Sequence, residues 1–240
     1  RLDVLLIEKG LVPSRQRGCA LIMAGKILVN DQRIDKPGAL ISKDNHIVLK
    51  ETDIPYVGRG GLKLEEALKS FKLKVDGFVC LDVGASTGGF TDCLLQHGAS
   101  CIFAVDVGYG QLDWKLRQDP RVVIIERTNI RNMPAGALPQ LVDFVTIDVS
   151  FISLKIVVPS VIKFLKQDFG IIALIKPQFE VGKGKVGKGG VVRDSNLHNE
   201  VIKDLTEFFN KTGLKCEPVI PSPISGSKGN KEFLILIYPC

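Results

Sequence analysis

Four charged residues, Lys63, Asp148, Lys176 and Glu232, carry side chains whose types and placement could do chemistry. Asp148 and Lys176 each close an apolar run, Val142-Asp-Phe-Val-Thr-Ile-Asp148 and Gly170-Ile-Ile-Ala-Leu-Ile-Lys176, and Pro177 fixes the turn after Lys176. Lys63 opens a helix-like stretch, where a cation opposes the helix dipole, and Glu232 sits at the head of a further apolar run. Two amines interleaved with two carboxylates suit the orienting of a hydroxyl and the removal of its proton. A lysine accepts that proton only as the free amine, so its pKa must fall from about 10.4 through desolvation or a neighbouring cation. Lys63 could supply that cation to Lys176. Asp148 and Glu232 favour charged lysine and are expected to hold the two amines in position.

The elements that must position these residues alternate between strand and helix patterns. An apolar strand, Phe78 to Val83, runs into the turn Gly84-Ala-Ser-Thr-Gly88-Gly89-Phe90 and a helix with Cys93, Leu94 and Leu95. Such a turn aims backbone N–H groups at a ligand, and its glycines let the main chain come close. A second apolar run ends at Asp106, an acid placed to accept hydrogen bonds from ribose hydroxyls. A dinucleotide fingerprint counted from Gly84 would need glycine at position 86, against a pyrophosphate, and the chain has Ser86. S-adenosylmethionine has no pyrophosphate and is the expected cofactor. Further strands are expected at 121–126, 142–148, 170–176, 215–220 and 231–238, with helices at 62–71, 155–166 and 196–210. The expected fold is α/β, a Rossmann-like seven-stranded class I methyltransferase sheet whose last pair forms a hairpin. In such a sheet Asp148 and Lys176 both reach the crevice at the carboxyl ends of the strands.

The composition, 240 residues with 45% hydrophobic and 24% charged, is that of a soluble globular chain of one or two domains. No apolar run spans a bilayer, and the first residues show no signal-peptide pattern, so a cytoplasmic location is expected. The six cysteines are scattered without a C-x-x-C pair and the three histidines do not cluster, so no metal and no disulfide framework are expected. The net charge of +6 is uneven: residues 1–50 hold nine Lys or Arg against five Asp or Glu. A basic module ahead of a nearly neutral body suits a nucleic-acid partner.

Within that module, residues 1–10 read as a short helix closed by Gly10, and a second helix is N-capped at Ser14. Short alternating strands follow at 25–30, 32–34 and 46–50. Arg1-Leu-Asp3, Ser14-Arg15, Ile22, Gly25, Ile27, Val29 and Asn30 resemble the αL RNA-binding module of a small-subunit ribosomal protein and of many pseudouridine synthases. That resemblance implies a small α+β N-terminal RNA-binding domain over 1–50, with phosphate contacts from Arg15, Arg17, Lys26 and Arg33. Such contacts orient without reading sequence. Residues 51–61, with a proline and three glycines, are expected to be the linker, and 62–240 the second domain.

From Arg59-Gly-Gly-Leu-Lys63, Asp82-Val-Gly-Ala-Ser-Thr-Gly-Gly-Phe90, Asp148-Val-Ser-Phe151, Ile175-Lys-Pro-Gln-Phe179 and Gly189-Gly-Val-Val-Arg193, the chain resembles the FtsJ-like ribose 2′-O-methyltransferases. With its amino-terminal module, it is similar to the hemolysin-A (TlyA) family of rRNA methyltransferases. The resemblance implies a catalytic tetrad of Lys63, Asp148, Lys176 and Glu232, rRNA or ribosomal subunits as partner, and a cytidine ribose hydroxyl as acceptor. Together with the chemistry of the turn it puts Gly84, Ser86, Gly88, Gly89 and Phe90 around the methionine portion of the cofactor. Asp106 falls on the ribose, Val107 and Asn129 near adenine, with Asp82 and Asp148 bordering the site. The basic, glycine-rich stretch 180–193 suits a loop over RNA phosphates, through Lys183, Lys185, Lys188 and Arg193, with Arg59 nearby. It lacks the Ser or Thr that would make it a phosphate-binding P-loop.

Other readings are disfavoured by particular residues. An amino-group methyltransferase would carry two prolines and an aromatic after the strand-end acid, where this chain has Asp148-Val-Ser-Phe. A pyrimidine-carbon enzyme needs a cysteine in the crevice, and the Pro-Cys pair here is Pro239-Cys240, past the last strand. The remaining alternatives are an RNA-binding protein with a catalytically weak methyltransferase domain, and a haemolysin or cytotoxin.

Overall fold

The computed structural model describes residues 1–49, 54–182, 184–187, 189–226 and 228–240. The chain forms two compact units, Arg1–Pro55 and Tyr56–Cys240.

In the first unit, α1 (Leu2–Glu8) and α2 (Arg15–Met23) pack beside the strands β1 (Ile27–Val29), β2 (Gln32–Arg33) and β3 (Ile47–Leu49), ordered β2-β1-β3 and antiparallel. Leu2, Leu6, Val12, Leu21, Ile22, Ile27 and Val29 form the core. The Ser14 hydroxyl accepts from the Arg17 N–H at 3.2 Å, capping α2, and Gly10 follows α1 at φ +66°.

The second unit is a mixed sheet flanked by helices. Its elements are α3 (Gly60–Ser70), β4 (Val79–Val83), α4 (Gly89–Gln96), β5 (Cys101–Val105), α5 (Trp114–Arg117), β6 (Val122–Ile125), β7 (Val142–Ile147), α6 (Leu154–Val161), β8 (Leu165–Ile175), α7 (Pro177–Glu180), α8 (Ser195–Lys211), β9 (Leu214–Cys216), β10 (Ile220–Pro221) and β11 (Phe233–Pro239). The strand order is β10-β11-β8-β7-β4-β5-β6, with β9 also on β11. Strands β4 to β8 pair in parallel, and β11 runs antiparallel to β8, β9 and β10. The chain steps outward from β4 through β5 to β6, then returns to the other side of β4 as β7. That reversal opens the crevice between the ends of β4 and β7, where ligands of such sheets lie. The inner strands read as nearly continuous apolar runs because both faces are covered: Leu81, Phe103, Val145, Ile171 and Ile235 are all buried.

Several expectations are corrected. The helix expected at 155–166 ends at Val161 and tightens into a 3-10 turn, Ile162–Phe164, shortly after Pro159, which lacks an N–H to continue the ladder. Lys166 therefore belongs to β8, which begins five residues before the expected Gly170, and its ammonium pairs with Asp143 at 2.6 Å. The strand expected at 215–220 is split into β9 and β10, both against β11. The second unit begins inside the stretch read as a linker. Tyr56 is 7% exposed, the Val57 N–H donates to Asp92 at 2.8 Å, and Gly60 already starts α3, while 51–53 lie outside the described residues. Among the described residues no helix is long and apolar enough to cross a membrane.

Candidate active site

The ends of β7, β8 and β11 bring the four charged residues into one cleft. Phe233 pairs with Ile175 across the antiparallel β11 and β8, so the residue before one strand, Glu232, adjoins the residue after the other, Lys176. Parallel pairing of Ile147 with Ala173 brings Asp148 to the same edge. Lys63, in the first turn of α3, completes the group. Lys63 Nζ lies 2.6 Å from Glu232 Oε2, and both residues are buried. Lys176 Nζ lies 2.6 Å from Asp148 Oδ1, off the angle of a hydrogen bond, and donates to Ser150 Oγ at 3.1 Å. The two pairs line a cleft of about 560 Å³ whose wall also includes Arg59, Ser86, Phe151, Gln178, Phe179 and Asn230.

The glycine turn is built for close approach. Gly84 has φ +85°, and a Cβ there would stand 2.5 Å from the Asp148 carbonyl oxygen, because β4 and β7 end side by side with the Asp148 N–H donating to Val83. Gly88 has φ +97°, and a Cβ would meet Leu116 at 2.1 Å. A side chain is strained by the positive φ at both positions and at Gly84 also meets backbone. Ser86 also has a positive φ, +50°, and its N–H donates to Asp106 Oδ2 at 2.8 Å. The Gly108 N–H reaches Asp106 Oδ1 at 2.6 Å, which fixes the carboxylate while the residue stays partly exposed. Val107 beside it is 69% exposed.

Two residues expected against the cofactor are buried. Asp82 is fully buried and accepts from Thr91 Oγ1 at 2.6 Å and Thr146 Oγ1 at 2.9 Å; burial pushes its pKa up to about 6 against those two bonds. Phe90 is 3% exposed and packs where Gly60 leaves room, so its ring joins α4 to α3. Asn129 caps the 3-10 turn at 130–132 by accepting from the Arg131 N–H at 3.1 Å. It lines a second cavity of about 580 Å³ with Arg127, Thr128 and Asn132, and not the cleft of the tetrad.

Of the basic residues expected to meet RNA, Arg59 is exposed at the cleft and Arg193 is exposed without lining it. Lys185 is paired with Glu200 at 3.1 Å, and Lys183 and Lys188 lie outside the described residues. In the first unit, Arg15 Nε donates to the buried Asp3 at 2.7 Å, and Arg1 holds both oxygens of the same carboxylate. Arg1 and then Arg15 keep the Asp3 carboxyl well below the usual carboxylate range. The Arg33 guanidinium lies where a Gly25 Cβ would be, Arg33 is exposed, and Arg17 and Lys26 are half-buried.

Several residues at the cleft carried no assigned role in the sequence reading. Phe151, 89% exposed at φ +64°, packs its ring against Phe179 at 4.8 Å between centroids. Asn230 is buried, accepts from the Val192 N–H at 2.9 Å and donates to the Gly190 carbonyl at 3.0 Å, tying the basic loop to the turn before Glu232. The signal for Phe151 and Ser150 was their place directly after a strand-end acid; Asn230 had none. The six cysteines are free thiols, and burial pushes Cys93 up to about 12. Among the described residues no cluster of His, Cys, Asp and Glu could hold a metal.

Comparison with known proteins agrees with this architecture. The FtsJ-like methyltransferase family matches residues 56–238 and the S4 domain family residues 1–47. The chain belongs to the FtsJ-like methyltransferase family. It is 44% identical over 98% of its length to a Mycobacterium tuberculosis protein named 16S/23S rRNA (cytidine-2′-O)-methyltransferase TlyA, covering 88% of that protein. It is 40% identical over 98% of its length to Hemolysin A of Brachyspira hyodysenteriae, covering 98% of it. A provisionally assigned hemolysin of Streptococcus thermophilus has a similar solved structure, with TM-score 0.79 and 44% identity over 100% of this chain and 88% of that one. The FtsJ-like unit thus carries the tetrad cleft, and the S4 unit carries the Asp3-centred arginines.

Proposed function

We propose that the protein methylates the ribose 2′-hydroxyl of a cytidine in ribosomal RNA, using S-adenosylmethionine, and that it acts in the cytoplasm on ribosomal subunits or their RNA. The observation that carries this reading is the convergence of two lysine–carboxylate pairs in one cleft that also reaches Ser86 of the glycine turn. S-adenosylmethionine, when bound, supplies a methyl group on a sulfonium. The residues present fit it: Asp106 is a fixed, partly exposed acceptor for ribose hydroxyls, Gly84, Ser86, Gly88 and Gly89 form the close-approach turn, and Val107 offers an open apolar face.

Methyl transfer is an in-line displacement, so the acceptor oxygen must be held against the methyl carbon and must lose its proton. Lys176, anchored by Asp148 and Ser150, orients the hydroxyl, and the proton leaves toward the Lys176–Asp148 pair. Lys63 and Glu232 support this arrangement from the other side. Phe151 presents an aromatic face on which an unstacked base can lie, the usual way a single nucleotide of RNA is held. The S4 unit, through Arg15, Arg17, Lys26 and Arg33, binds RNA phosphates and brings the substrate to the cleft. The test is incubation with methyl-labelled S-adenosylmethionine and isolated small or large ribosomal subunits, followed by nuclease digestion and mass spectrometry. Label on a cytidine ribose is the expected result; an unlabelled ribose on both subunits and on free rRNA, with cofactor binding intact, refutes the proposal.

A further inference from the structure

Segment 148–154 between β7 and α6 contributes Asp148, Ser150 and Phe151 to the cleft, yet it contains no regular structure until α6 begins at Leu154. Its central residue, Phe151, has φ +64°, a strained conformation for a bulky side chain that persists only when its surroundings hold it. Beyond the Asp148 N–H bond to Val83, three residues of the stretch 176–180 hold this segment. At one end Lys176 meets Asp148 and Ser150. In the middle Phe179 packs on Phe151. At the far end the Glu180 carboxylate accepts from Ser153 Oγ at 2.6 Å and from the Leu154 N–H at 2.9 Å.

The Glu180 contact is the one with no counterpart in the chemistry already described. Ser153 is the N-cap of α6, and its hydroxyl oxygen accepts from the Lys155 N–H at 3.1 Å while its proton goes to Glu180. The carboxylate therefore satisfies an otherwise orphaned helix N–H and fixes the capping hydroxyl in the same step. Burial pushes the Glu180 carboxyl up, and the Ser153 and Leu154 bonds oppose that rise. A carboxyl held in a desolvated place, four residues after Lys176, locks the end of one strand-end loop to the end of the other.

We infer that Glu180 is a positioning residue for methyl transfer: by anchoring Ser153 and Leu154 it holds the loop that carries Asp148, Ser150 and Phe151 in register with Lys176. This rests on the methyltransferase reading above. It acts through the loop and does not touch the cofactor turn, so its loss should lower turnover and leave cofactor affinity alone. Glutamine can keep the Leu154 bond through its carbonyl and replace the Ser153 bond by one of reversed direction, its amide donating to the Ser153 oxygen, which has a second lone pair for it.

The test uses the full chain, S-adenosylmethionine and the ribosomal subunit that the wild type methylates, comparing Glu180→Ala, Glu180→Gln and Ser153→Ala. Hydrogen exchange across 149–154 supplies a readout independent of turnover. Glu180→Ala should lower kcat by about 10- to 100-fold, as a displacement near 1 Å does, with KM for S-adenosylmethionine within about twofold. Exchange at 149–154 should accelerate while the rest of the sheet is unchanged. Glu180→Gln should restore kcat to within about threefold, and Ser153→Ala should fall between. Wild-type kcat in Glu180→Ala, or equal loss in Glu180→Gln, overturns the inference even though the wild type is active. A wild type that methylates nothing defeats the underlying reading instead, and the exchange data then judge the anchor: no acceleration in Glu180→Ala, or the same acceleration in Glu180→Gln, overturns it. If the alanine variant does not fold, Ser153→Ala with wild-type kcat and wild-type exchange overturns it too.

Discussion

The two units use charge in opposite ways. In the S4 unit two arginines stay in water: the Arg1 and Arg15 side chains are 50% and 57% exposed, and one fully buried acid, Asp3, aims them both. In the FtsJ-like unit the two lysines of the cleft are withdrawn from it: the Lys63 and Lys176 side chains are 10% and 12% exposed, and each has its own carboxylate. Exposed charges are screened by salt and act additively on a polyanion, whereas desolvated pairs interact strongly and leave a large penalty when one member is lost. Solvent exposure, and not the number of charges, therefore separates the two units: exposed guanidiniums suit the proposed gathering of RNA, and a desolvated cleft suits the proposed positioning of a hydroxyl.

Substitutions that exploit this contrast should differ in kind as well as size. Lys176→Ala should lower kcat by about a thousandfold or more, in the range set by loss of a general acid–base group together with orientation. Calorimetry should find S-adenosylmethionine affinity near that of the wild type; residual turnover above a tenth would remove Lys176 from its assigned role. Next in size, Lys63→Met or Glu232→Gln alone should cost roughly 3–5 kcal/mol of stability, since each leaves a buried charge unpaired, while the double substitution should cost less than either. Urea titration of the three variants decides whether that pair is as desolvated as its exposure implies.

A substitution at Asp82 sharpens the comparison through pH. Asp82 has a folded-state pKa raised to about 6 from an ordinary 3.8, so its contribution to stability is fully present below about pH 4 and is lost as pH rises through 6. The wild type should therefore lose up to roughly 3 kcal/mol across that window relative to Asp82→Asn, which can keep partners in Thr91 and Thr146. Parallel stability curves for the two proteins would show that the carboxyl is not desolvated. The smallest effect belongs to the S4 unit. Arg15→Ala should weaken binding to an rRNA fragment only several-fold and lower the salt-dependence slope by about one, with kcat at saturating RNA unchanged. A slope equal to the wild type's would take Arg15 off the phosphate backbone.

Much of this molecule was legible one residue at a time. The strand-to-glycine-turn pattern at 78–90, the acid at 106, the Ser14 cap and the strand-end charges Asp148 and Lys176 follow from periodicity and from rules that act over a few residues. Motif spacing did not show that Asp82 and Phe90 face inward, because it does not say on which side of a strand or helix a side chain falls. The same local rules carried the helix after 154 through to Lys166, since an apolar run near Pro159 fits a helix or a buried strand equally well.

What the sequence by itself determined is the inventory: two units of different charge, an α/β body, a close-approach turn and four charged residues whose types suit the proposed handling of a hydroxyl proton. Only the tertiary structure decided the pairing. Lys63 meets Glu232 across 169 positions of chain, and Lys176 meets Asp148 and not Glu232, although the antiparallel register of β8 and β11 makes Glu232 its strand neighbour. The same holds for Glu180, whose acid reads in sequence as one more charge in a polar loop until α6 is docked against it. The physical reason is that backbone propensity acts between near neighbours, while the partner of a desolvated charge is chosen by which strand ends the sheet brings together.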